Sequence, residues 1–193
     1  MSLKSFPNES CAQWRRLDVP GREEATIARM ASGWQLEGEL NVDEPGAAAR
    51  LRYAIGCDAA WRTRSATVEG DVNGSPFRVA LAADGTGGWT ADGVALPQLA
   101  GALDVDLGFT PATNTLPIRR LGLAIGESAA VRSAWLRFPE LRLEPLEQTY
   151  AREAERTFRY SALVDGEPFV ARLDVDAFGR VVRYEGLWQM EAT

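Results

Sequence analysis

The sequence predicts a mainly β protein: one highly curved antiparallel sheet, an incomplete barrel, with a few short helices. Three observations carry this. Apolar and polar residues alternate over short segments along most of the chain, the period of two that marks half-buried strands. Turn signals such as Pro20-Gly21, Asn73-Gly74 and Asp165-Gly166 separate those segments. About eleven to thirteen strands are expected, and a sheet that wide curls, splits or closes rather than lying flat.

The elements follow in order. Residues 13–18 form a first strand before the Pro20-Gly21 turn. Residues 24–30 and 33–40 read as a hairpin around 31–33, with Trp34, Leu36, Gly38 and Leu40 on one face and Gln35, Glu37 and Glu39 on the other. Residues 50–57 and 61–72 continue the alternation; Trp61, Thr63, Ser65 and Thr67 are expected opposite Arg62 and Arg64. Asn73-Gly74 asks for a tight type I′ hairpin, because both central positions need positive φ. Residues 77–81 form the return strand, and residues 84–88 turn the chain toward Trp89. Residues 97–103 read as a short helix opened by Pro97. A polar loop at 109–117 then precedes a strand at 116–125. Segments 131–138, 141–146, 156–164, 169–176 and 181–188 complete the series, with 148–155 open to either a helical turn or strand. The 193 residues suffice for one core and read as a single domain, residues 1–193, with 1–10 a loose N-terminal segment.

Composition removes several functions. There is no histidine, which excludes histidine triads, histidine general bases and histidine metal sites. Cys11 and Cys57 lack metal-like spacing and read as structural thiols. No phosphate-cradling glycine loop is present. No cofactor and no metal are therefore expected, and catalysis, if present, would use carboxylates, tyrosines and arginines. A net charge of −6 argues against a general nucleic-acid partner. No run approaches a membrane helix and the N-terminus lacks an apolar signal, so no integral membrane association and a cytoplasmic location are expected. Lys4 is the one lysine among 21 basic residues. That bias is either compositional or a sign that arginine forks bind an anion.

The chemistry concentrates in residues 104–123, D-V-D-L-G-F-T-P-A-T-N-T-L-P-I-R-R-L-G-L. Thr110, Thr113, Asn114 and Thr115 could bond a neutral polar ligand, or cap their own backbone. Arg119 and Arg120, on adjacent strand positions, would point to opposite faces, and an inward one needs a carboxylate or a bound anion. Asp104, Asp106, Asp174 and Asp176 could supply the carboxylate. The two aspartate pairs could also serve acid–base catalysis, although such pairs are common on solvated strands. Six tryptophans, with Phe77, Phe109, Tyr53 and Tyr160, would fill the concavity or line a pocket.

Several strings together resemble one bacterial family: W-R-R-L-D from Trp14, G-W-Q-L-E-G from Gly33, C-D-A-A-W-R-T-R-S from Cys57, the central string, and W-L-R-F-P-E-L from Trp135. This is the domain-of-unknown-function family named "putative glycolipid-binding", and the resemblance spans residues 14–188. It implies a fold like that of Lol-type lipoprotein carriers, an incomplete barrel whose concave side is covered by short helices and holds acyl chains. A violacein-pathway enzyme looks similar in shape. The expected function is thus a non-enzymatic binder or carrier of a glycolipid or lipid-like small molecule in the concavity. The expected site is drawn from Trp61, Arg62, Arg64, Asp106, Thr110, Asn114 and Arg119. The alternatives are a cofactor-independent enzyme using Asp104, Asp106, Tyr53 and Arg119, or a partner-binding structural module. Exposed sheet edges would suit a homodimer.

Overall fold

A computed structural model describes residues 9–192 of the chain. They form one sheet of 15 strands. The first meander runs β1 (Glu9–Arg16), β2 (Gly21–Met30), β3 (Gly33–Glu44), β4 (Ala47–Asp58), β5 (Thr63–Val72), β6 (Ser75–Ala83), β7 (Trp89–Ala91) and β8 (Val94–Ala95). The second runs β9 (Asp104–Leu107), β10 (Ser128–Arg137), β11 (Arg142–Ala154), β12 (Thr157–Val164), β13 (Glu167–Val175), β14 (Val181–Tyr184) and β15 (Trp188–Met190). The meanders are spliced by β1 against β15, antiparallel, with Trp14 opposite Met190. The edges are therefore β8 and β9. All neighbours pair antiparallel except β9 and β10, which run parallel. The sheet is strongly curved and is not closed into a barrel.

The segment linking the meanders must travel from one sheet edge to the other, and it does so through the concave side. It contains 3-10 turns at Pro97–Leu99 and Ala112–Asn114 and the helix α1 (Thr115–Leu121). Every residue from 109 to 118 is buried. Around it the edge strand β9 meets the start of β5: the Thr63 amide donates to the Leu103 carbonyl at 3.0 Å, and the Val105 amide to Thr63 Oγ1 at 3.0 Å. Phe109, Leu116 and Ile118 join Trp14, Ile55, Leu136 and Tyr150 in one continuous apolar core. No helix among the described residues is long and apolar enough to cross a membrane.

Most of the strand expectations hold. The 31–33 hairpin forms with Met30 opposite Gly33, and Leu36, Gly38 and Leu40 face inward. Asn73 and Gly74 adopt φ of 53° and 77°, as a type I′ turn requires. Other expectations are corrected. The segment 116–125 is not a strand. It is helical from Thr115 to Leu121, with Pro117 in the first turn and Gly122 left-handed at the end, its amide bonded to the Ile118 carbonyl. Arg119 and Arg120 are thus successive helix positions rather than opposite faces of a strand. Residues 148–155 are strand through Ala154, with Gln148, Tyr150 and Arg152 buried in alternation. Thr63 and Ser65 do not share a face, because a register shift between Gly56 and Cys57 turns the strand over. Ala66 and Val68 then face the core. The strand number exceeds the expected one because β7, β8, β9, β14 and β15 have two to four residues each. Residues 1–8 of the expected loose segment lie outside the described residues, while Glu9 and Ser10 pair with Ala28 and Ile27 in β1.

Candidate functional site

Three polar clusters hold the linking segment inside the sheet. On the first meander, Tyr53 on β4 and Thr110 both donate to Glu23 Oε1 on β2, at 2.5 and 2.6 Å. Glu23 is 2% exposed and its Oε2 finds no donor. Burial pushes its carboxyl up to about 7, against the pull of the two hydroxyls. On the second meander, Tyr150 donates to Asn114 Oδ1 at 2.8 Å, and Asp106 accepts from Gln148 and, at 3.5 Å, from Thr113. Burial raises Asp106 to about 6. Tyr150, Tyr160 and Tyr184 pack edge to face beside it, centroids 5.3 and 6.1 Å apart. The third cluster is Arg120 with Asp104, bonded through Nε at 2.9 Å and Nη2 at 2.5 Å. Of the two adjacent arginines, this is the one that meets the expected carboxylate.

Trp61 stands at one end of the concavity. Its φ of 67° is left-handed, an outlier for a bulky residue. The loop that forces it is pinned by Asp58, whose Oδ1 accepts the amides of Ala60 and Arg62 at 2.9 and 3.0 Å. Held there, Trp61 stacks on Trp34, centroids 4.4 Å apart. The Arg119 guanidinium lies over Trp61 at 5.4 Å and over Phe178 at 4.5 Å. Burial lowers the pKa of Arg119, a shift opposed by the charge of Asp176.

The outer face of the first meander carries a groove of about 680 Å³. Gly70 helps shape it: at φ 149°, an added Cβ would sit 2.0 Å from the Arg50 carbonyl oxygen. Glycine therefore permits an approach of β5 to β4 that no other residue allows. One wall is a cross-strand row in register, Gln13, Glu24, Glu39, Arg52, Glu69 and Arg78. The facing row includes Arg22, Asn41 and Arg50. Arg52 pairs with Glu69 at 2.8 Å and Gln13 donates to Glu24 at 2.7 Å. Glu24 and Glu39 are direct cross-strand neighbours of like charge, an arrangement that costs stability.

The sequence-derived site residues thus divide. Thr110 and Asn114 are buried in the linking segment and Asp106 is half-buried beside it, all bonded within the chain, while Trp61 and Arg119 meet at its end. Arg62 and Arg64 are exposed, and Arg64 donates to the Asp84 carbonyl. Glu23 and the groove residues were not singled out from the sequence. Glu23 had a signal, an acid sharing the inward stripe of Ala25 and Ile27. The groove row had one in part, since counting outward from the tight turns aligns 24 with 39, 39 with 52, and 69 with 78, while the bulge in β5 hides the match of 52 with 69.

The chain matches the family described as "Putative glycolipid-binding" over residues 11–190. A crystal structure of a DUF1089 family protein from Pseudomonas aeruginosa is 34% identical, with 96% of this chain and 94% of that chain covered and a TM-score of 0.71. None of the curated proteins matches. With nearly its whole length inside the family match, this chain belongs to the family described as "Putative glycolipid-binding".

Proposed function

We propose that the protein is a non-catalytic binder of a glycolipid or similar amphipathic small molecule, and that the outer groove over β1–β6 holds the polar head. The observation that carries this reading is the groove itself: about 680 Å³ of concave space walled by donors and acceptors in register. Glu24 and Glu39 would accept sugar hydroxyls, and a ligand donating to both would relieve their mutual repulsion. Arg50 forms no ion pair among the described residues and, with Asn41, would donate from the facing wall. The concavity, by contrast, is occupied by residues 109–118, so acyl chains would enter it only if that segment moved. The reading includes a cytoplasmic location, which accords with Cys11 and Cys57 both being free thiols.

Calorimetric and NMR titration with octyl glucoside below its micelle concentration tests this. Saturable shifts confined to residues 22–24, 39–41, 50–52 and 69 are expected, with at least tenfold weaker binding in Glu39→Ala. Shifts confined to the tyrosine cluster would instead place the ligand inside, and no saturable binding of any glycolipid head would remove the proposal. The enzyme reading keeps one supporting observation, the carboxyl of Asp106 raised toward neutrality beside three tyrosines. It requires a route to that carboxyl, which a solvent-exchange measurement on Asp106 would reveal.

A further inference from the structure

Most of the partly buried arginines have a carboxylate. Arg16 pairs with Asp18 at 2.6 Å, Arg120 with Asp104 at 2.5 Å, and Arg180 with Asp176 at 2.7 Å. Arg152 lacks one but is capped by the carbonyls of Leu123 and Glu155, at 2.8 and 2.6 Å. Arg119 differs from all of these. Its Nη1 donates to the Phe178 carbonyl at 3.0 Å, its Nε is shielded from solvent without an acceptor, and among the described residues it forms no ion pair. The acid whose charge it feels, Asp176, already accepts from the amides of Phe178, Gly179 and Arg180 and from the Arg180 side chain. A half-buried cation left in this condition is costly unless an anion completes it.

We propose that Arg119, packed against Trp61 and Phe178, receives the oxyanion of a ligand, a phosphate-type group. The two rings touch each other, centroids 5.6 Å apart and steeply inclined, so they wall the guanidinium without enclosing it, and its planar fork matches two oxygens of one oxyanion. The surroundings favour negative charge. Arg29 lies over the outer ring of the stacked pair, 5.6 Å from Trp34, and Arg62 follows Trp61. Neither forms an ion pair among the described residues. On a chain of net charge −6, this local excess of arginine attracts anions. The strained Trp61 has a purpose on this account, since its backbone sets the ring against which the guanidinium is flattened. The site lies at the opposite end of β2 and β3 from the groove and does not rest on the glycolipid reading.

The test is NMR detection of arginine Nε–Hε resonances in the full chain, titrated with inorganic phosphate and separately with dodecyl phosphate below its micelle concentration. The Arg119 resonance is expected to shift saturably while those of Arg120 and Arg152 stay fixed. Arg119→Gln should weaken binding at least tenfold, and Arg119→Lys, which keeps charge but loses the fork, should weaken it less. Dodecyl phosphate binding more than tenfold tighter than inorganic phosphate identifies a lipid headgroup; equal binding identifies a free oxyanion. The proposal is overturned by the absence of a saturable Arg119 shift with either probe. An equal shift from sodium chloride at matched ionic strength overturns it too. Because the wild-type resonance decides, a variant that fails to fold does not blunt the experiment.

Discussion

Strands β2 to β5 carry two unlike surfaces back to back. On the inner side, Glu23 and Tyr53 are spent on holding Thr110; on the outer side, one residue along, Glu24, Glu39 and Arg52 face solvent in a row. Both sides are rich in polar groups, yet they differ in what those groups are free to do. Inside, almost every donor and acceptor is matched within the chain, so the cluster fixes where residues 109–118 lie. Outside, the pairs are long-armed and exposed, so the same residue types cost little to redirect toward a ligand. Polar composition alone does not mark a site; uncommitted polar groups do.

Mutations should separate the two sides by size of effect. Asp104→Ala removes the fully buried carboxylate that pairs half-buried Arg120 and should lower unfolding free energy by about 3 kcal/mol in urea denaturation. Ile118→Ala, deleting a side chain that is 1% exposed, should cost about 2–5 kcal/mol. A loss under about 1 kcal/mol in either would mean that the linking segment is not part of the core and would dissolve the contrast.

The pH dependence sharpens it. Glu23 holds its proton more tightly in the folded chain, at about 7, than at its ordinary 4.5. Between these values the folded chain binds the extra proton, so this share of stability is full below pH 4.5, falls as pH rises and is gone above about 7. Its size is about 3 kcal/mol. Asp106 contributes a similar slope that ends near pH 6, so the interval from pH 6 to 7 reports Glu23. Glu23→Gln should flatten that interval in urea titrations, while Glu24→Gln, its outward neighbour, should leave it sloping. The smallest effect belongs outside. Arg52→Ala loses an exposed ion pair and should change stability by less than about 1 kcal/mol, while weakening glycoside binding in the same groove.

Much of the sheet was legible because alternation and turn chemistry are local. Asn73-Gly74 fixes its own hairpin, and the pattern around Leu36 and Leu40 names its inward face. Residues 116–125 read as a strand in the sequence for a physical reason: α1 is buried on nearly all sides at its start, so it lacks the apolar stripe that reveals a surface helix. Its bracket of Pro117 and Gly122 was the readable clue. The site was harder still. Thr110 and Asn114 are the residue types a ligand would want, and only the three-dimensional partners Glu23 and Tyr150 show that they serve the fold. Arg119 and Arg120 are identical neighbours in sequence, and no local signal says which one Asp104 will claim.

The splice of β1 to β15 bears on how the chain acquires its shape. Trp14 and Met190 lie at opposite ends of the sequence, so their pairing closes a very large loop, whereas nearly every other strand pairs with its neighbour in sequence. Each meander can zip hairpin by hairpin, but the seam between them carries the highest entropic cost and should form late. During synthesis the free edge of β1 waits for the last strand to emerge, and in that interval it is the part of the molecule most open to pairing with the wrong chain.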